Sequence, residues 1–264
     1  MKGLAILLIA TLLTSAVAFA GSMEMAFGGG PTAISLASIN ASIGVFNALI
    51  THLNETFAVH PDVSGAIDPI APMTSGLSFR AEERFWLLDW FGLGAAIDYY
   101  SSSTETIGFY EGSEISTIDV ALGVTAVSAL LGARASFLDA GLRLAAEGGF
   151  GYYYVLLDRS TIFEIPVEYP DAISGVPPDG DERFTGSSLG FEVGLNLSYP
   201  ITKWLSIGST VTYRSATVNS VANSEGDELD LDGDGTTEPI DLDGITVRLV
   251  LSLNIDLSPN GEKE

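Results

Sequence analysis

Cysteine is absent from the 264-residue chain, so no disulfide staples it and no thiol chemistry is available to it. Lysine is nearly absent: after Lys2 only Lys203 and Lys263 occur. A water-facing sandwich or lipocalin-like barrel would spread lysine and glutamate over its outward strand faces, so that class is disfavoured. Histidine is limited to His52 and His60, which removes the usual general base from most of the sequence. Lysine and arginine together number 11 against 34 acidic residues, a net charge of −23. Such a chain repels phosphate backbones, which excludes nucleic acid as a partner. Beyond the first twenty residues no apolar run is long enough for a membrane helix, which needs about 20 residues.

What is present is patterned. The opening MKGLAILLIATLLTSAVAFA has a basic residue, an apolar stretch and the small-x-small triplet Ala18-Phe19-Ala20. That is the form of a secretory signal peptide. Residues 1–20 are therefore expected to be cleaved, leaving 21–264 as one domain. An uncleaved anchor is the alternative, for which the apolar stretch is short.

The mean hydropathy is +0.33 despite the charge of −23, so charge is concentrated in some segments and kept out of others. The excluded segments alternate apolar and polar residues, the period-2 signature of strands with one apolar face. Residues 245–257, ITVRLVLSLNIDL, are the clearest case, with Arg248 on the non-apolar side. Comparable tracts start near Ser22, Ser75, Trp90, Ile115, Ala140, Leu189 and Trp204, giving eight candidate strands. Tight connections near Leu88-Asp89, Phe137–Asp139 and Pro200–Lys203 alternate with long ones. Short turns on one side and long loops on the other are the layout of a transmembrane β-barrel. Closure is how strands satisfy their backbone in lipid. The expected fold is all-β: an eight-stranded antiparallel transmembrane barrel, with an amphipathic helix in the first long loop. Trp86, Trp90 and Trp204 all fall beside short turns and are expected in an aromatic girdle at one bilayer face.

This layout resembles the small eight-stranded outer-membrane barrels of the OmpA-like, OmpX-like and OmpW-like kind, over nearly all of the chain after the leader. The resemblance implies a location in the bacterial outer membrane, with outer-membrane lipid as the surrounding partner. It supplies no catalytic or binding motif. Many such proteins end their last strand on an aromatic residue; here the strand ends at Leu257 and SPNGEKE follows, which marks a divergent member.

The polar strand faces carry Glu24, Arg80, Glu82, Arg84, Asp98, Asp119, Arg134, Arg143, Glu147, Glu192, Arg214 and Arg248, six arginines and six acids. Unpaired charge in a narrow lumen is costly, so these are expected to pair. Arginine suits the task because its planar fork binds carboxylates at two points. Glu192 or Glu24 is the expected partner of Arg248. Placing Asp119 in the lumen requires a change of parity around Ala126–Ala129. Glu83 falls on the lipid face unless a bulge near Ala81–Glu83 shifts the register. The network either plugs the barrel or gates a narrow ion path.

Two loops add features. Leu36, Ile39, Ile43, Phe46, Ile50, Leu53 and Phe57 recur at helical spacing between Pro31 and Pro61. This helix is expected to be a lid, a plug or an element on the outer rim. In the last long loop Asp230, Asp232, Asp234, Thr236 and Asp241 take the spacing of a calcium loop around Gly235. The bidentate glutamate and flanking helices are missing, so a solvated acidic loop is the competing reading. No motif requires a cofactor, and Ca²⁺ is the one candidate. Three functions remain open: a structural barrel or narrow pore, uptake of a small apolar ligand under the loop helix, and surface adhesion. With no histidine on a strand, an enzyme is not expected.

Overall fold

The computed structural model describes residues 20–59, 61–112, 115–139, 141–164, 180–231 and 235–257. The expected leader lies outside that set, apart from Ala20. Eight long strands run β1 (Ser22–Ile34), β2 (Ser75–Leu88), β3 (Phe91–Glu111), β4 (Ile115–Asp139), β5 (Arg143–Glu164), β6 (Gly180–Pro200), β7 (Leu205–Ser215) and β8 (Gly244–Asp256). Each pairs antiparallel with the next, and β8 returns to β1. The ring is closed, so at the level where all eight strands run no strand edge is left open. One helix, α1 (Ala37–Ala58), lies in the β1–β2 connection.

The strands differ in height. β3 to β6 have 21, 25, 22 and 21 residues, against 13, 14, 11 and 13 for β1, β2, β7 and β8. A tilted strand crosses a bilayer in about 9–11 residues. The long four therefore build a wall that rises well past the short four on the loop side.

Alternation sorts the side chains. Phe27, Phe79, Ile97, Phe150, Leu189, Val193, Leu195, Val211, Val247, Leu249 and Leu251 all point outward and are exposed. Outward Tyr99, Tyr152, Tyr154 and Tyr213 ring the loop side, and Trp90 and Trp204 stand exposed at the turn side. Trp86 departs from the girdle expected for it. It lies at an even position of β2, like Arg80 and Arg84, and is buried inside the barrel.

Two expectations about parity are settled by the pairing. No register shift occurs between Ala81 and Glu83; the irregularities fall at Trp86/Leu88 and Ser136/Leu138, beside the turns. Glu83 is therefore exposed on the outer face. β4 keeps one parity throughout, with Ile118, Val120, Leu122, Val124, Ala126, Ser128, Leu130 and Arg134 all buried inside. Asp119 consequently does not join the lumen. It faces outward on the tall wall, in register with Ile107 and Ile162.

Candidate functional site: a barrel closed at two levels

The lower half of the lumen is filled by ion pairs. Arg134 is the hub. Its Nη1 donates to Glu24 Oε1 at 3.0 Å, and its Nη2 to Glu147 Oε2 at 2.7 Å and Glu82 Oε1 at 3.3 Å. Arg84 pairs with Glu82 as well. Glu82 joins this cluster to a second one, accepting from Arg80 Nε at 3.1 Å. Arg80 also holds Glu192, and reaches Asp98 Oδ2 at 3.2 Å. Asp98 in turn accepts from Arg248 Nη2 at 3.0 Å. Four arginines and five carboxylates thus form one connected network.

Arg248 therefore meets Asp98, not Glu192 or Glu24. The reason lies in β1. Gly30 offers no side chain, and a Cβ there would sit 2.1 Å from the Val247 carbonyl oxygen and 3.1 Å from Arg248 Cα. With that stretch of wall bare, Arg248 crosses to β2 and β3, and its Nε donates to Ser78 Oγ at 3.0 Å. Its Nη1 donates to Thr212 Oγ1 at 3.1 Å, so all three donor nitrogens are used and the side chain is only 1% exposed.

Two expected members sit at the ends of the network. Arg214 is buried near the top, where its Nε donates to the Leu242 carbonyl at 2.8 Å and its guanidinium lies 4.3 Å from the Tyr100 ring centroid. Arg143 is at the bottom, 5.8 Å from the Trp86 ring centroid. Trp86 Nε1 donates to Glu24 Oε2 at 3.1 Å, which makes this inward indole part of the network. Trp86→Phe is expected to lower stability by about 1.5–3 kcal/mol, the worth of one hydrogen bond to a charged group. Urea unfolding in detergent micelles measures it.

The space left by these side chains is small. The gap among Arg80, Glu82, Arg84, Glu147 and Glu192 holds no more than one water molecule.

The upper half is closed by apolar packing. Ile39, Ile43, Ile50, Leu53 and Phe57 of α1 join one cluster with Ile118, Val120, Leu122 and Val124 of β4 and Val155 and Leu157 of β5. The helix is therefore a lid seated in the mouth, its apolar stripe facing inward. Ala41, Gly44, Val45, Ala48, His52 and Glu55 face outward. His60 lies outside the described residues.

A device outside the apolar periodicity of α1 fixes this lid. Asn40, Asn47 and Asn54 stand seven residues apart on α1. Each side-chain amide donates to a backbone carbonyl and accepts from the N–H of the same residue: Met73 for Asn40, Ile70 for Asn47 and Ile67 for Asn54, at 2.7–3.0 Å. Seven helical residues rise about 10.5 Å. Three residues of extended chain span about 9–10 Å. The two repeats match, and Pro69 and Pro72 hold the segment 67–73 extended. Its other side is held by β3, where Thr106 and Thr104 hydroxyls donate to the Asp68 and Ala71 carbonyls at 2.7 and 2.8 Å. The strap is clamped between helix and wall, with Ile67, Ile70 and Met73 each 2% exposed. Tyr110 donates to Asn54 Oδ1 at 2.6 Å, and burial pushes its hydroxyl up to about 12, so it remains a donor at ordinary pH. The spacing Asn-x6-Asn-x6-Asn beside Ile-Asp-Pro-Ile-Ala-Pro-Met was the available signal.

The acidic loop completes the cap with its leucines. Leu229, Leu231, Ile240 and Leu242 are buried in the same cluster as the lid. Glu238 accepts the Leu231 N–H with both oxygens at 3.0 Å and the Ser42 hydroxyl of α1 at 3.0 Å. Of the calcium-loop candidates, Asp232 and Asp234 lie outside the described residues. Asp230 Oδ2 accepts the N–H of Gly235, whose φ of +82° requires glycine at this turn. Thr236 lies in the same stretch. Asp241 instead turns to the short pair formed by Thr217–Val218 and Ile240–Asp241, where it accepts the Thr217 hydroxyl at 3.0 Å. Among the described residues no three histidine, cysteine or acidic groups converge on a metal position.

No family model matches the chain, and no curated protein sequence matches it. Among solved structures, the outer membrane protein OprG from Pseudomonas aeruginosa aligns over 89% of this chain and 96% of its own, at 10% identity and a TM-score of 0.41. The N-terminal β-barrel domain of Pseudomonas aeruginosa OprF aligns over 89% and 98%, at 12% identity and a TM-score of 0.38. Ail, the attachment invasion locus protein of Yersinia pestis, aligns over 89% and 99%, at 12% identity and a TM-score of 0.41. By its closed ring of eight strands the chain resembles the small outer-membrane barrels, a likeness of fold alone that carries no role to any of its residues.

Proposed function

We propose that this protein is an outer-membrane barrel with a closed lumen, a membrane-held platform that displays its cap and tall wall at the cell surface. The observation that carries this reading is closure at two levels in series: the Arg134–Glu82–Arg80 network below and the clamped α1 lid above. The outward apolar residues supply the surface that lipid covers. An eight-stranded barrel has an interior just wide enough for side chains, and here the side chains fill it.

Uptake of a small apolar ligand finds less support. The gap beneath the lid, among Ser42, Ile43, Phe46, Ile70, Val120 and Leu122, has room for one or two waters. A ligand would have to displace the lid. An enzymatic role has no support on the described strands, where no histidine stands; His52 is exposed on α1. Calcium at the acidic loop is a separate reading, tested by titrating the refolded protein with millimolar Ca²⁺.

Conductance decides between platform and pore. Residues 21–264, refolded and inserted in a planar bilayer, are expected to show no discrete current steps at any calcium concentration. Deleting 37–58 is expected to leave the barrel silent as well, because the ion-pair network remains below. Steps from the intact protein would overturn the reading in favour of a pore.

A further inference from the structure

One carboxylate stands where the barrel meets lipid. The exposed outer face of β2 reads Leu77, Phe79, Ala81, Glu83; Phe85, next in phase, is buried. Glu83 is exposed, and its register neighbours are Met25 on β1 and Ala95 on β3. The register continues through Leu131, Phe150 and Phe191 on one side and Leu253 on the other, all apolar. Glu83 lies five residues above Leu88 at the lower turn. At about 3.3 Å per residue and a tilt of about 40°, that is roughly 12–13 Å, half of the ~25 Å apolar band.

Among the described residues no cation compensates it. The flanking Glu82 and Arg84 point into the lumen. Lys203 lies in the β6–β7 turn, and Arg183, on the tall wall, is paired with Asp158. Lipid head groups lie at the bilayer surfaces, too far to reach mid-depth. A second copy using the same face would bring Glu83 against Glu83, because a two-fold axis along the membrane normal keeps equal residues at equal depth. The surrounding surface has low relief. Gly29 and Ala81 floor an apolar groove walled by Phe27, Phe79 and Ile97, immediately above Glu83.

An ionisable residue in the membrane is kept at a cost to stability and marks a site of contact. We propose that the outer face of β1–β3 docks a membrane-embedded segment of another protein, which brings one lysine or arginine to mid-depth to pair with Glu83. The inference rests on the membrane reading above.

The test uses residues 21–264 refolded in lipid vesicles and two synthetic leucine-rich transmembrane helices, one with a central lysine and one with leucine there. Energy transfer between labelled barrel and labelled helix reports binding. The lysine helix is expected to bind at least tenfold tighter than the leucine helix, and Glu83→Leu is expected to abolish the difference. Without any helix, the Glu83→Leu barrel should unfold at higher urea than the wild type, the opposite of what a structural role for the carboxylate gives. Equal binding of both helices, a preference that survives Glu83→Leu, or lower stability of that variant would each overturn the proposal. So would Glu83-dependent energy transfer between two copies of the barrel, which would assign the face to self-association. Insertion is scored separately by heat-shifted gel mobility. Failure to insert removes the membrane reading and this proposal together, whereas an inserted barrel without lysine preference removes only the second.

Discussion

Arg134→Met is expected to lower the stability of the refolded barrel by about 3–5 kcal/mol, the usual consequence of removing one partner from a buried charge cluster. The reason is the number of carboxylates that depend on this side chain. Glu24, Glu82 and Glu147 all accept from it, and none of the four side chains is more than 7% exposed. Lysine would not substitute, because one ammonium cannot present the fork that meets Glu24 on one nitrogen and Glu147 and Glu82 on another. The double variant Arg134→Met/Glu147→Gln should recover part of the loss, since Glu147 has its two shortest contacts with Arg134 and only a 4.0 Å approach to Arg84. The coupling between the two sites should fall in the range of about 0.5–3 kcal/mol seen for residues in contact. Urea unfolding in micelles, followed by tryptophan fluorescence, supplies both numbers. A loss under about 1 kcal/mol for Arg134→Met, the level of an exposed pair, would mean that the lumen is wet enough for the carboxylates to find water.

Asn47→Ala is expected to act differently, on the cap and not on the barrel. It leaves the N–H and the carbonyl of Ile70 without partners in a residue that is 2% exposed. Two orphaned backbone groups at about 1–3 kcal/mol each give a local loss of about 2–6 kcal/mol. Asn47→Asp keeps an acceptor for the N–H and loses the donor to the carbonyl, so about half the effect should remain. The readout is amide hydrogen exchange at Ile67, Ile70 and Met73, which should accelerate together while the strands of the barrel keep their protection. If the global unfolding midpoint fell as far as the local protection did, lid and barrel would be a single cooperative unit.

The strands were legible because a lumen and a lipid face demand opposite residues at alternate positions, and most of the charged members of the network follow from that alone. The misplacement of Asp119 shows where the signal fades. Between Ala126 and Leu131 the inward residues are small or apolar because they lie under the lid, and the outward ones are apolar because they face lipid. With both faces alike, alternation gives no parity. Trp86 lies beside a turn, as girdle residues do, yet its even position, shared with Arg80 and Arg84, assigns it to the inside. The partner of Arg248 depends on strand stagger and on the bare wall at Gly30, neither of which is written in a one-residue pattern. The clamp on the lid needed two different periods to be compared, seven on a helix and three on an extended segment. In the acidic loop the aspartates drew attention to cations, while the leucines between them make the contacts that fold it.

The order of the contacts along the chain bears on how the barrel assembles. The three asparagine pairs close loops of 33, 23 and 13 residues within the β1–β2 connection. The lumen pairs are far apart in sequence, 110 residues for Arg134 with Glu24 and 150 for Arg248 with Asp98. Short loops close at lower entropic cost and sooner. Helix and strap can therefore meet while the last strands are still being laid down, whereas the Arg248 contact must wait until β8 reaches β1. An inserting chain would carry its stopper before it had a bottle to fit.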